Sequence, residues 1–397
     1  MKAPVSQPVL PRMLLAVTCC ALLVLSVFIT ACDKGKPVLT KETTGESHTF
    51  SDPHTPLDIE EEEPGPDKLG SWAYIQGAAE RPDNWEQIVY NSPFQLGEKV
   101  FAGTWFEGSE DEKDYYYINY GTFPCIDGST VAVPMAVEFA WQHLGMDDSE
   151  GNIFTWFSTT DQAYTNLITK SPYSGGMIVD ENALTSPDQQ VDILIATEPS
   201  ADELALAKKY KVKLIQKPVC WDAFVFIVNK DNPVDSLTLD QVRGIYSGKI
   251  TNWKELGGQD LPIVPYQREE NSGSQTGMIN LVMGDTPMLP PERVDVVFGM
   301  GALIDAVAEY QNSPASIGYT YKYYIDTLYK NDKIKILKIN GVSPNPTDIR
   351  SGAYPLSVNY YGIIRAEDAK ATGGLFLDWM LTPQGQECIA QAGYIPL

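Results

Sequence analysis

From residue 120 to the C-terminus, apolar runs of strand length alternate with segments that carry helix-start signals. The runs lie at 121–126, 191–197, 212–216, 223–228, 261–265, 315–319, 334–339 and 357–365. Between them stands Val133–Leu144, with Pro134 in the first turn, where the missing N–H has no partner to lose. The capping boxes Ser200-Ala201-Asp202-Glu203 and Thr238-Leu239-Asp240-Gln241 predict helices running to Tyr210 and Tyr246. Further helices are predicted over 161–168, 275–283, Ala302–Tyr310 and Ala366–Met380. This alternation predicts an α/β protein with mainly parallel sheets flanked by helices. The sequence has no internal repeat and no glycine-rich dinucleotide fingerprint.

The first seventy residues differ in kind. Lys2 and Arg12 flank the start of an uncharged apolar run, Met13 to Ala31, which ends Ile29-Thr30-Ala31-Cys32 before Asp33-Lys34-Gly35-Lys36. This order resembles a bacterial lipoprotein signal over residues 1–31. In that family the cysteine, here Cys32, is diacylated and becomes the mature N-terminus. The run is also long enough for an uncleaved anchor helix. Both readings place the rest of the chain outside the cytoplasmic membrane. No later run approaches the ~20 apolar residues of a second span. Residues 32–70 are rich in Thr, Pro, Ser, Gly and acids, including Glu60-Glu61-Glu62-Glu63, and are predicted to form a flexible tether. Residues 71–119 hold Trp72, Trp85, Trp105 and Tyr115-Tyr116-Tyr117, and are predicted to be an ordered elaboration on the main body.

Charge and rare residues narrow the chemistry. Asp and Glu number 52 against 29 Lys and Arg, a formal net charge of −23, which repels phosphodiester backbones and argues against a nucleic-acid partner. There are 3 histidines, His48, His54 and His143, and the first two fall in the tether. The remaining one cannot build a zinc site, and histidine acid–base chemistry lacks its usual residue. Neither a metal nor a cofactor is predicted. Cys19 and Cys20 belong to the signal, which leaves Cys125, Cys220 and Cys388. An odd number leaves at least one thiol unpaired, and the spacing matches no metal motif. They are read as small buried apolar residues, with a bridge between two of them left open.

Three loops share one design, small hydroxyl residues at the start of a helix. They are Asp127-Gly128-Ser129-Thr130-Val131, Ser158-Thr159-Thr160, and Arg268-Glu269-Glu270-Asn271-Ser272-Gly273-Ser274-Gln275-Thr276. Helix starts present unpaired N–H groups and a positive dipole end, and hydroxyls add donors. Gly273 lets backbone approach a ligand closely, and Arg268 can clamp an oxyanion through two N–H groups. One such loop is usually only an N-cap; three at the carboxyl ends of strands make an anion site.

These loops and their surroundings carry a resemblance. The chain from about 120 to 397 resembles the phosphate-binding periplasmic-binding-protein family, the solute receptors of phosphate ABC transporters. The matching stretches are Ile126 through Thr130 with Pro134, Asp222 through Phe226 with Asn229, and Ile245 through Trp253. Others are Arg268 through Gly273, Ile317-Gly318-Tyr319, Gly385-Gln386 and Gly393 through Leu397. The resemblance implies a two-lobed fold of the type II class. Residues 120–220 with 326–397 form one lobe, 221–325 the other, and the anion lies in the cleft between them.

The same resemblance implies ligand roles for Arg268, Ser272, Gly273 and Ser274, and a role for Glu270 in orienting the arginine. It implies first-lobe ligands at Thr130 and the Val131 amide, beside Ser129, and a second-loop hydroxyl on Thr160 or else Thr159 or Ser158. The family's aspartate that accepts the proton phosphate keeps at neutral pH has Glu198 as its counterpart, one methylene longer. Glu198 is either that acceptor or a first-turn helix acid without ligand contact. The function implied is capture of inorganic phosphate and its delivery to an ABC permease, with lobe closure and no catalysis. A surface sensor or adhesion lipoprotein on the same fold is the alternative. A serine hydrolase using Ser272 or Ser274 lacks a base, because His143 lies inside a helix.

Overall fold

In a computed structural model, the structure describes residues 86–97, 99–105, 113–118, 120–146, 157–171, 183–185, 189–290, 295–297, 300–309 and 314–397. All of them fall in one compact unit, Pro56–Leu397. The expected signal, Cys32 and tether lie outside the described residues.

The strands in chain order are β1 (Lys99–Trp105), β2 (Lys113–Ile118), β3 (Ile126–Gly128), β4 (Ala183–Thr185), β5 (Ile193–Ala196), β6 (Leu214–Asn229) and β7 (Ser236–Leu237). Then come β8 (Val264–Arg268), β9 (Asp295–Val297), β10 (Ser316–Tyr321), β11 (Ile334–Ile336), β12 (Lys338–Ile339) and β13 (Ser357–Arg365). The helices are α1 (Val133–Leu144), α2 (Thr160–Thr169), α3 (Ala201–Tyr210), α4 (Leu239–Tyr246) and α5 (Gly273–Gly277), which continues as a π-helical stretch, Met278–Met283. The last are α6 (Met300–Glu309), α7 (Pro346–Arg350), α8 (Thr372–Met380) and α9 (Pro383–Gln391). Both predicted capping boxes form reciprocally: Ser200 with Glu203 opens α3, and Thr238 with Gln241 opens α4. The helix expected over Ala366–Met380 is instead a 3-10 turn, Ala366–Asp368, followed by α8. Gly373 sits in its first turn, where a Cβ would lie 2.2 Å from the Asp192 carbonyl.

The main sheet has 8 strands in the order β3-β5-β13-β6-β10-β8-β9, with β11 also on β6. Its outer pairs, β3/β5, β10/β8 and β8/β9, are parallel as expected. Its middle is antiparallel: β13 against β5 and β6, and β10 and β11 against β6. The two long strands β6 and β13 run in opposite senses through the centre, so the parallel rule of βαβ units cannot hold there. Residues 223–228 are wholly buried, which accounts for their unbroken apolar run.

The runs predicted as separate strands at 212–216 and 223–228 are one strand that passes through Lys217-Pro218. β6 is continuous, and the register of β13 on it shifts where Tyr360 pairs Cys220 and Tyr361 pairs Pro218. Proline has no N–H for the ladder, so the strand absorbs it as a bulge rather than ending. Along β6, β13 pairs with Leu214–Ala223 and β10 with Phe224–Val228, so the two lobes of the fold share this strand. At the change of partner sits Asp222. Its Oδ1 accepts from the N–H of Ala223 (2.7 Å) and of Tyr323 (3.1 Å), and burial raises its pKa to about 7. Residues 334–339, expected in the first lobe, pair with Ile227–Asn229 and with β7, beside the second-lobe strands.

Of the expected elaboration over 71–119, residues 86–97 dock on α1 and α9. The Gln142 carboxamide accepts from the N–H of Ile88 (2.7 Å) and Val89 (3.1 Å), while Val89 and Phe94 enter the core. β1, β2 and β4 form a separate three-stranded sheet. Cys125, Cys220 and Cys388 are all free and buried, as small apolar residues would be. Among the described residues no helix is long and apolar enough to cross a membrane, and no cluster of His, Cys, Asp or Glu is placed to hold a metal.

Candidate functional site

The first hydroxyl loop leaves β3 at Gly128. A Cβ there would lie 2.1 Å from the Ile195 carbonyl oxygen, so only glycine lets β3 lie this close to β5. The next N–H, of Ser129, donates to that same carbonyl at 3.0 Å. Ser129 is buried beside Tyr360, Thr130 is half-buried, and the chain turns through a 3-10 turn into α1. The Val131 carbonyl accepts from the Tyr394 hydroxyl at 2.6 Å, which ties this turn to the C-terminal segment.

Asp127 joins the first loop to the second. Its Oδ1 accepts from the N–H of Gly128 and of Ser158, both at 2.7 Å, and its Oδ2 from the Asn166 amide at 3.3 Å. Burial raises this carboxyl to about 6, and the two backbone donors hold it down against that rise. In the second loop Thr159 has φ 80 and ψ 161, a region β-branched residues rarely adopt. That conformation, held by the Ser158 bond to Asp127 and by the Ala163 N–H on the Thr159 carbonyl (2.9 Å), carries the chain into α2. Thr159 points to solvent, whereas Thr160 is buried. Of the three second-loop residues Thr160 is the buried one, while the half-buried Ser158 hydroxyl accepts from Asn166 at 3.3 Å.

The third loop begins where β8 ends. The Arg268 side chain is 5% exposed and lies along the Glu269 carboxylate. Nε donates to Glu269 Oε2 at 2.9 Å, and Nη2 to Oε1 at 2.7 Å. Nη1 reaches Ser274 Oγ at 3.4 Å. The residue that orients the arginine is therefore Glu269, not the expected Glu270. The Ser272 N–H donates to the Glu269 carbonyl at 3.2 Å and closes a turn whose central residues are Glu270 and Asn271 (φ 61). Central turn residues point outward, so Glu270 is exposed while Glu269, at the turn's first position, folds back onto the guanidinium. Ser272 then caps α5, its Oγ accepting from the Gln275 N–H at 3.3 Å.

The second and third loops meet at Gly273. A Cβ there would sit 3.1 Å from Thr160 Oγ1 and 3.2 Å from Thr197 Oγ1, and the Tyr321 hydroxyl donates to the Gly273 carbonyl at 3.0 Å. Thr160, Gly273, Ser274 and Arg268 are thus gathered in one region, with Ser129 to Val131 tied to it through Asp127. Glu198 is not gathered with them. It is exposed and accepts from the Tyr361 hydroxyl at 3.2 Å. Asn271 donates to Asp202 of α3 at 3.2 Å, a further contact between the third loop and the first lobe. Sequence reasoning missed Glu269, Asp127 and Thr197. The signal for Thr197 was its place at the carboxyl end of β5, which the other loops share relative to their strands. His143, beside Phe94 and Trp379, is pushed down to about 4 by burial and is remote from this chemistry.

A mixed sheet shared by two lobes, with hydroxyl-rich helix starts gathered at a buried arginine, defines the two-lobed class of α/β fold. The model of the PBP superfamily domain matches residues 174–384, and the chain belongs to that family. Among curated relatives, the phosphate-binding protein PstS of Bacillus subtilis is 30% identical over 172 residues, 43% of this chain and 53% of that protein. The Pseudomonas aeruginosa protein of the same name is 25% identical over 269 residues, 63% of this chain and 81% of that protein. The chain covers 53% and 63% of the lengths of the PstS proteins of B. subtilis and Borreliella burgdorferi. Among solved structures, one from Clostridium perfringens is assigned as a phosphate ABC transporter substrate-binding protein with bound phosphate. It is 25% identical, with a TM-score of 0.51 over 68% of this chain and 98% of that chain.

Proposed function

We propose that this chain captures inorganic phosphate between its lobes and delivers it to an ABC permease. The observation that carries the reading is the meeting of Thr160 and Gly273 beside the buried Arg268 and Ser274, a set of donors with one full positive charge. The similarity to phosphate-binding proteins of B. subtilis and P. aeruginosa supports the choice of phosphate among oxyanions. The proposed ligands are the Thr130 hydroxyl, the Val131 amide, Thr160, Arg268 and the Ser272-Gly273-Ser274 turn. Ser129 and Thr159 stand in the same loops, buried and exposed respectively. Binding then needs no catalytic group: the anion bridges the two lobes and stabilises their closed arrangement.

We also propose that Cys32 carries the lipid that holds the chain on the extracytoplasmic face of the membrane. Its support is the order of basic start, apolar run, small residues and cysteine. Two acyl chains are needed for stable anchoring, and membrane fractionation of Cys32→Ala is expected to find the protein released or unprocessed; unchanged retention of normally cleaved protein would count against the lipid. The exposed position of Glu198 favours one variation, a site that takes other tetrahedral oxyanions as well. Calorimetric titration of the purified chain with phosphate, sulfate, arsenate and molybdate tests the function. Phosphate is expected to bind with micromolar or tighter affinity, about −8 kcal/mol or better. No heat and no thermal shift with any of the four would end the reading.

A further inference from the structure

Thr197 follows β5 directly and had no role in the site read from sequence. Its backbone is fixed by the Tyr164 hydroxyl, which donates to the Thr197 carbonyl at 2.6 Å. The residue is 6% exposed, and its Oγ1 is buried beside the Tyr321 phenol. That phenol donates to the Gly273 carbonyl, so it can only accept from Thr197, and the lone pairs of the Thr197 oxygen find no donor. A buried hydroxyl oxygen that no donor reaches is unfavourable, and native structures seldom keep one without a purpose.

Its direction is informative. The point where a Cβ on Gly273 would stand is 3.2 Å from Thr197 Oγ1 and 3.1 Å from Thr160 Oγ1. Two hydroxyls on different loops of the first lobe therefore face the same side of the glycine that follows Ser272. Glu198, next in sequence, turns out to solvent and accepts from Tyr361. Resting on the phosphate reading above, we propose that Thr197 supplies a further hydroxyl to the bound oxyanion beside Thr160, in the place expected for the Glu198 carboxylate. A carboxylate accepts only, and so repels an anion that carries no proton. A hydroxyl accepts from the proton of hydrogen phosphate and equally donates to a fully ionised oxygen. The substitution makes the site more tolerant of sulfate than one lined by a carboxylate.

The test titrates full-length wild type, Thr197→Val, Thr197→Ser and Glu198→Gln with phosphate and sulfate, with a melting curve for each. Thr197→Val keeps the shape and removes the hydroxyl, and is expected to weaken phosphate binding roughly tenfold to a hundredfold. Thr197→Ser restores the hydroxyl and is expected to recover most of that loss. Glu198→Gln is expected to change the phosphate-to-sulfate ratio less than Thr197→Val does. If Thr197→Val does not fold, Thr197→Ala reads the same loss. A folded Thr197→Val or Thr197→Ala protein with wild-type phosphate affinity overturns the inference and leaves the phosphate reading standing. A Glu198→Gln effect larger than that of Thr197→Val overturns it in the same way. Wild-type protein that binds neither anion overturns both.

Discussion

Arg268→Ala is expected to weaken phosphate binding by about a hundredfold or more while the protein stays folded. Two hydrogen bonds from a guanidinium to an anion contribute roughly 1.5–3 kcal/mol each. A loss of about 3 kcal/mol corresponds to two factors of ten in Kd. The guanidinium is 5% exposed and already aligned by both oxygens of Glu269, so little ordering remains to be done when the ligand arrives. Glu269→Gln keeps one acceptor for the guanidinium and is expected to lose less than Arg268→Ala. Titration calorimetry reads the affinities, and a melting curve separates a lost ligand group from a lost fold. Wild-type affinity in a folded Arg268→Ala protein would remove Arg268 from the site.

The second large effect is expected at Gly128. An alanine methyl there meets the Ile195 carbonyl oxygen at 2.1 Å, and that oxygen is backbone and cannot turn aside. β3 must move off β5, and the Ser129 N–H loses its hold on the same carbonyl. Overpacking of this kind costs about 3 kcal/mol, which lowers Tm by roughly 5–10 °C. Anion affinity should fall as well, because Ser129, Thr130 and Val131 follow directly. Gly145→Ala is the control: that glycine caps α1 at φ 69 with no atom within 4 Å of an added Cβ, so only backbone strain of about 1 kcal/mol is expected. Equal destabilisation of the two variants would show that conformational freedom, not the close approach to β5, is what position 128 requires.

What the sequence made legible was largely local. The Ser200/Glu203 and Thr238/Gln241 boxes are patterns within four residues, and both formed as read. The hydroxyl loops announced themselves by composition, and Thr160 and Gly273 do come together although they lie far apart in the chain. The departures come from distant partners. Pro218 reads as a strand end until Tyr361 is known to lie opposite it and take up the missing donor as a bulge. The antiparallel middle of the sheet follows from the opposite senses of β6 and β13, which no single segment reveals. Glu269 and Glu270 are chemically equivalent in the sequence. Only the turn closed by Ser272 decides which of them faces Arg268. Thr197 was invisible for a related reason: its significance lies in a buried oxygen that no donor reaches, and pairing is a property of neighbours.

The three described thiols carry a practical consequence. Burial pushes Cys388 up to about 12 and the other two well above their ordinary value, so almost no thiolate is present at neutral pH. Oxidants and alkylating dyes act on the thiolate and need access to it, and here they meet neither. A protein with unpaired cysteines is ordinarily at risk of scrambling into wrong cross-links wherever oxidants reach it. In this one the hazard is deferred until the polypeptide opens. The rate at which a maleimide dye labels Cys125, Cys220 and Cys388 therefore clocks global opening, and ligand that holds the lobes shut should slow that clock without touching a single sulfur.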